Sequence, residues 1–330
     1  MRRAIGQLWM RLLAGTALLC ATAVAAADSG ARLQVVASFS VLADIAAEIA
    51  GEHAEVRALI GADTDPHQFR PPPSALRQLA AADLLISNGL GFEPWLPGLL
   101  AGLDFNGAHC VASDGLRALP LVAAHGHGNA SDPHSADRGS GAADSHGHGH
   151  RHGLAGAPRD PHAWLSPQRA LRYLDNIAAA LAAADPAHAA TFRRRAADFR
   201  RRLQAVDAEF RERLAALPES ARRVLLDHNA FAYLGADYAI EFLAARAAGG
   251  GEPSARELAG LVRLARDAGV RALLAENIAD RRLLEQVARD SGLRVGGPLY
   301  SGALAASGPA SSYLGMLRHN LQLLAEALAH

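Results

Sequence analysis

The chain has 330 residues, half of them apolar, and its 33 lysines and arginines are matched by 33 aspartates and glutamates. That length exceeds what one core usually fills, so two domains of roughly 130 to 160 residues each are expected. The balanced charge leaves no broad basic field and argues against nucleic acid or an anionic membrane surface as partner, while 15 histidines lean the composition toward metal.

Arg2, Arg3 and Arg11 precede an apolar run from Leu12 to Cys20, and small residues fill Ala21 to Ala27. This is the pattern of an export signal over residues 1–27, with a soluble periplasmic chain beginning near Asp28. The apolar run is shorter than the ~18 to 20 residues of a spanning helix. Leu19, not a small residue, precedes Cys20, so lipid attachment there is not expected. Only Cys110 remains after cleavage, which rules out an intrachain disulfide and reads as a small buried hydrophobe.

From Leu33 onward, short β-type runs alternate with amphipathic helical runs, which predicts an α/β fold with mainly parallel sheets. The first strand is Leu33–Ala37, followed by a helix from Val41 to Ala50 that Gly51 stops. A strand from Glu55 to Ile60 leads into a loop carrying Asp63, Asp65, Pro66 and His67. Pro71, Pro72 and Pro73 forbid helix, and Ser74 caps one that runs to Ala81. Strands follow at Leu84–Ser87, with Asn88-Gly89 as its turn, and at His109–Ala112. Residues 115 to 158 lose apolar periodicity and read as a long solvated insertion, with its His-rich loop at about 120–158. It holds His125, His127, His134, His146, His148, His150 and His152.

Order returns at Asp160, and Pro167 opens a helix to about Ala184. The next helical pattern, residues 187–217, is the longest in the chain, with Phe192, Phe199, Leu203, Val206, Phe210 and Leu214 on one face. At roughly 45 Å it is a stiff connector rather than a flexible linker. Beyond it the alternation resumes: strand Arg223–Asp227, helix Ala230–Gly235, strand Ala239–Leu243, and a loop through Gly249-Gly250-Gly251. Ser254 and Glu257 form a capping box for a helix to Asp267. Strand Ala272–Ala275, helix Asp280–Asp290, strand Leu293–Val295 and a final helix from Ser311 to Ala329 complete the chain. The expected architecture is two similar lobes, residues 28–186 and 218–330, joined by one long connecting helix.

Asp65-Pro66-His67 recurs as Asp160-Pro161-His162, and Asp227-His228 answers both without the proline. All three histidines fall at or near strand ends, where α/β lobes gather ligands, so they can converge as a metal site in the interlobe cleft. Proline stiffens the backbone before two of them. Asp65, Asp160 and Asp227 are placed to accept a ring N–H and leave the other nitrogen free for metal, or to cap turns. Three neutral imidazoles suit zinc, with copper and nickel chemically competent, whereas manganese prefers oxygen. An extracytoplasmic zinc hydrolase is the rival use of such a site, although no His-Glu-x-x-His helix occurs. A metal buffer or surface adhesin is a further alternative.

Several stretches together carry a resemblance. They are Val35-Val36-Ala37-Ser38-Phe39-Ser40-Val41-Leu42-Ala43-Asp44, Asp65-Pro66-His67, Ser87-Asn88-Gly89-Leu90-Gly91, Asp160-Pro161-His162-Ala163-Trp164-Leu165 and Asp227-His228-Asn229-Ala230-Phe231. Glu252-Pro253-Ser254-Ala255-Arg256, Gly296-Gly297-Pro298-Leu299-Tyr300 and the segment Tyr313 to Asn320 complete the set. In this order they resemble the zinc/manganese-type periplasmic solute-binding proteins of ABC transporters, the ZnuA/TroA-like family, in its zinc branch. The resemblance implies two α/β lobes, a single connecting helix and little hinge motion. It also implies Zn(II) as transported ligand, bound by His67, His162 and His228, where manganese-type members tend to have glutamate at the third position. A membrane permease with its cytoplasmic ATPase would be the partner, a periplasmic zinc chaperone a further one, and the protein would act as a monomer without enzymatic activity. The clustered histidines would be an auxiliary, weaker metal collector. Capture of manganese or another divalent metal is the alternative within the family. One position departs from the pattern: many members carry an aspartate ligand where this chain has Gly302. Water, an acid such as Asp63 or Asp65, or a histidine of the mobile loop would then take the fourth place.

Overall fold

The computed structural model describes residues 32–121, 158–246, 254–278 and 280–329. The predicted export signal, Cys20, the clustered histidines from His125 to His152 and the triple glycine lie outside the described residues.

Two parallel sheets are built to the same plan. In the first, β1 (Leu33–Phe39), β2 (Ala54–Ile60), β3 (Leu84–Ser87) and β4 (Ala108–Val111) lie in the order β2-β1-β3-β4. In the second, β5 (Arg223–Leu226), β6 (Glu241–Ala244), β7 (Ala272–Glu276) and β8 (Val295–Leu299) lie as β6-β5-β7-β8. Every pairing is parallel. Each sheet therefore reverses its winding once, between β1 and β3 and between β5 and β7, and a crevice opens at the carboxyl ends of those strands.

The strands are apolar on both faces because helices cover both. Val35, Ala37 and Phe39 of β1 enter one large core while Val36 enters a smaller one beneath α2 (Pro73–Ala80) and α3 (Leu96–Ala101). The same alternation sends Val224 and Leu226 of β5 into the large core and Leu225 into another beneath α7 (Ala255–Asp267) and α8 (Arg282–Ser291). The large core is thus common to both sheets. α1 (Ser40–Ala50), α4 (Pro167–Ala184), α5 (Ala189–Ala215) and α9 (Tyr313–Ala329) enclose it, with α6 (Ala232–Tyr238) on the second sheet. The 27 residues of α5 span about 40 Å and bury Phe192, Phe199, Leu203, Val206, Phe210 and Leu214 along one stripe.

Four local differences from the sequence reading have physical causes. α2 begins at Pro73 rather than after Ser74, because a proline at the first helical position gives up no needed donor. α3, a short helix in Leu-Pro-Gly-Leu-Leu-Ala, carries too few turns for a periodic signal. β8 runs through Gly296-Gly297-Pro298, beyond the expected Leu293–Val295; it is an edge strand, where proline is tolerated. The insertion also starts later than residue 115, since its two described ends pair: Leu121 N–H donates to Pro158 O at 2.8 Å and Asp160 N–H to Leu119 O at 3.0 Å.

Candidate metal centre

His67 sits in the turn after β2, where Asp65 caps a short 3-10 turn by accepting from His67 N–H at 2.9 Å. Pro66 is the first residue of that turn and is buried. His162 follows the paired ends of the insertion, and two carbonyls of its Asp-Pro-His segment are tied down. Tyr233 hydroxyl donates to Asp160 O at 2.8 Å, and Asn88 Nδ2 donates to Pro161 O at 3.0 Å. Asn88 is itself fixed by Tyr173 hydroxyl at 2.8 Å and by the buried Glu93 carboxylate, which accepts its backbone N–H at 2.6 Å. His228 lies two residues beyond β5.

These elements bring the three rings together. Their centroids form a nearly equilateral triangle with sides of 5.3, 5.6 and 5.6 Å. One nitrogen from each lies within 4.8 Å of the other two, and no cysteine or carboxylate joins the group among the described residues. Nε2 of His67 is 3.3 Å from Nε2 of His162. Two ligands of a tetrahedral zinc at about 2.0–2.1 Å stand about 3.3–3.4 Å apart, so this edge already has the right length. Phe92 and Trp164 wall the site, with ring centroids 5.6 Å from His67 and 5.3 Å from His162 respectively.

A carboxylate sets the tautomer of His162, and a second carboxylate faces His228. Asp160 Oδ1 accepts from both the backbone N–H and the Nδ1–H of His162 at 2.8 Å, in a position only 1 % exposed. An ionised carboxylate can only accept, so Nδ1 carries the proton and Nε2 is left as a bare lone pair. His228 Nδ1 stands 2.7 Å from Oε1 of Glu276, and its Nε2 is buried without a hydrogen-bond partner. Burial alone would lower the His228 pKa, but the Glu276 carboxylate outweighs it and holds it above the ordinary histidine value. Burial would raise Glu276, and the facing His228 brings it below its usual range instead. For His67, burial followed by the charges of His162 and His228 pushes the pKa down to about 4.

The remaining sequence candidates are engaged elsewhere. The Asp63 carboxylate accepts from Ala306 N–H at 2.9 Å, its own N–H donates to Leu304 O, and it does not join the group of three histidine nitrogens. Asp65 spends its oxygens on His67 N–H and on Gln68 Nε2 at 2.8 Å, not on an imidazole N–H. Asp227 pairs with Arg246 at 3.1 Å rather than with its neighbour His228. Gly302 is packed so that a Cβ would come within 2.7 and 2.9 Å of Pro66 and 3.2 Å of Ile278. A side chain there would displace the turn that carries His67.

Glu276 was not among the sequence candidates, although a signal existed. It closes the apolar run Ala-Leu-Leu-Ala-Glu with a charge, and all five residues of β7 are buried. Continuing the β5–β7 register two residues past Leu226↔Leu274 sets position 228 opposite 276, at the point where the second sheet reverses.

Two parallel-sheet lobes meeting at a crevice between their carboxyl edges define a two-lobed solute-binding fold. Residues 35–327 match the family model described as zinc-uptake complex component A, periplasmic, and the chain belongs to that family. Similar proteins include the iron-binding protein YfeA of Yersinia pestis, 27% identical over 303 residues, covering 91% of this chain and 87% of that one. The manganese-binding lipoprotein MntA of Bacillus subtilis is 27% identical over 316 residues, covering 94% of each. Among solved structures, the periplasmic zinc binding protein TroA from Treponema pallidum superposes with a TM-score of 0.74 at 22% identity, over 91% of this chain and all of that one. Members of this family are solute-binding proteins of ABC transporters, not enzymes.

Proposed function

We propose that the chain captures Zn(II) outside the cytoplasm and delivers it to a membrane permease driven by a cytoplasmic ATPase. Membership of the family supports divalent metal as the cargo. The observation that favours zinc is the donor set: among the described residues three imidazole nitrogens converge with no carboxylate oxygen among them. Nitrogen-rich, four-coordinate sites suit zinc, whereas manganese seeks more oxygen donors. The 3.3 Å Nε2 to Nε2 edge adds a geometric argument. With Gly302 closed by Pro66 and Asp63 committed to Ala306, water is the fourth ligand best supported.

The protein is read as a soluble periplasmic monomer released by cleavage near Asp28, and the clustered histidines as a weak collector that feeds the site. A periplasmic chaperone would be an additional source of zinc. Because relatives such as MntA are named as lipoproteins, N-terminal sequencing of the exported protein is the direct check: Asp28 at the terminus is expected, and an acylated Cys20 would replace that reading.

Metal choice is tested by equilibrating the metal-free protein with equal Zn(II) and Mn(II) and counting bound metal by mass spectrometry. Zinc at one tight equivalent, with manganese excluded, is expected. Retention of manganese in the presence of zinc would give the protein to the other branch of the family, and Fe(II) under anaerobic conditions serves as a third competitor.

A further inference from the structure

Asp160 was placed beside its histidine by the local Asp-Pro-His sequence, but His228 has no such neighbour, since Asp227 faces Arg246. The ring is instead met across the sheet by Glu276, from a different strand. β5 and β7 are paired neighbours on either side of the point where the winding reverses, and their register carries His228 and Glu276 to the same level. The Glu276 side chain is fully enclosed, and its Oε1 makes an ion-pair contact of 2.7 Å with Nδ1 as the one charged group facing that nitrogen, while neither carboxylate oxygen nor Nε2 of the ring has a hydrogen-bond partner among the described residues. A fully buried carboxylate costs stability unless it is paired, so its placement at the end of an apolar strand, facing His228, calls for a function.

We propose that Glu276 is the positioning residue of His228: it fixes the Nδ1–H form of the imidazole, turns Nε2 toward the point shared with His67 and His162, and matches the site's charge to a dication. The charge match follows from counting. The Asp160 and Glu276 carboxylates stand behind two of the three rings, so two negative charges lie one imidazole away from a 2+ ion. A monovalent cation would leave that enclosure negative. Free imidazoles favour the Nε2–H form, in which the lone pair needed for coordination points at Glu276 instead of the cleft; a carboxylate 2.7 Å from Nδ1 reverses that preference by attracting the proton to that nitrogen. The consequence for zinc rests on the functional reading above, whereas the tautomer of His228 does not.

Two measurements separate these dependencies. In the metal-free protein at alkaline pH, long-range 1H–15N correlation spectra report which nitrogen of His228 carries the proton, with His228→Ala identifying the resonance. Nδ1–H is expected in the wild type, Nε2–H in Glu276→Ala, and a mixture in Glu276→Gln, whose amide can accept from the ring but can also turn a donor toward it. A wild-type and Glu276→Ala pair with the same tautomer would overturn the proposal, whatever the metal data show. Second, Zn(II) affinity measured by chelator competition should fall about 10- to 100-fold in Glu276→Ala and less in Glu276→Gln. Glu276→Asp, which keeps the charge but shortens the arm, should recover part of the loss. An unchanged affinity in Glu276→Ala would overturn the proposal. Absence of tight zinc binding in the wild type would instead overturn the zinc reading, with the tautomer spectra still deciding the role of Glu276. The isosteric Glu276→Gln variant keeps the comparison valid if the alanine variant folds poorly, because the same resonance can be read in it.

Discussion

His67, His162 and His228 carry the same ring in three electrostatic settings. At His67, the most exposed of the three, desolvation followed by the charges of the two neighbouring rings pushes the pKa down to about 4, which favours the neutral ring. His228 keeps its proton to a higher pH than free histidine, since burial, which would lower its pKa, is outweighed by Glu276. Metal and proton compete for the same Nε2 lone pair. Affinity should therefore be flat above the raised pKa of His228 and fall as pH drops through it, by about tenfold per pH unit for each proton displaced. The fall begins above pH 6.5, earlier than reference histidine values suggest, and His67 adds its own proton only near pH 4. Calorimetric titration across pH 5 to 9 reads this directly, and a pH-independent affinity would exclude imidazole ligation. Gly302 offers a second test at this scale. Restoring the family's aspartate by Gly302→Asp is expected to destabilise the fold by about 1–3 kcal/mol through overpacking against Pro66 and Ile278. It should loosen, not tighten, zinc binding, because Pro66 precedes the ligand His67. A gain in affinity at unchanged melting temperature would show that the turn yields and the aspartate coordinates.

Each element around the site delivers a ligand by backbone, not only by side chain. The segment Asp160-Pro161-His162 hangs from Tyr233 and Asn88 through two carbonyls, and Asn88 relays its position from Tyr173 and Glu93. Asn88→Ala removes one donor to Pro161 O and leaves the buried Tyr173 hydroxyl without its acceptor. A loss of about 1–3 kcal/mol in unfolding free energy is expected. Zinc affinity should weaken too, although Asn88 touches no metal; a purely thermal effect would mean the His162 loop holds its shape without it. The three histidines were legible in the sequence because each follows an aspartate in a short motif, two of them the repeated Asp-Pro-His, and local sequence specifies such turns. Glu276 was not legible in the same way, because its partner is 48 positions away and becomes adjacent only through the pairing of β5 with β7. The partners of Asp63 and Asp227 were hidden for a related reason. Ala306 and Arg246, the groups that occupy them, come from other segments, and proximity in sequence could not reveal that competition.

At the level of the whole molecule, the alternation of strands and helices sufficed to anticipate two similar lobes, but not how completely they share a core. The described residues from Leu33 onward belong to one compact unit, and the largest apolar cluster takes residues from β1, β3, β5 and β7 together with α5 and α9. The segment from the end of β8 to the first residue of α9 is also bonded across to the first lobe. Leu304 N–H donates to Ser40 Oγ at 3.1 Å, Ala306 N–H to Asp63 at 2.9 Å, Tyr313 N–H to Asp44 at 2.7 Å, and Trp164 Nε1 to Ser301 O at 2.9 Å. Opening the cleft as a hinge would break these bonds and expose the common core. Metal capture should therefore proceed by local movement of ligand-bearing turns rather than by wide closure. Small-angle scattering of metal-free and zinc-loaded protein is expected to give indistinguishable radii of gyration, and a decrease of several per cent on loading would reveal a hinge that these contacts do not allow.

The most direct test of the account is the position of the metal itself. Anomalous diffraction at the zinc edge from crystals of the zinc-loaded protein should show one strong peak between the lobes, about 2.0–2.1 Å from Nε2 of each of His67, His162 and His228. A peak missing any one of these three nitrogens, or one held chiefly by carboxylate oxygens elsewhere in the cleft, would contradict it.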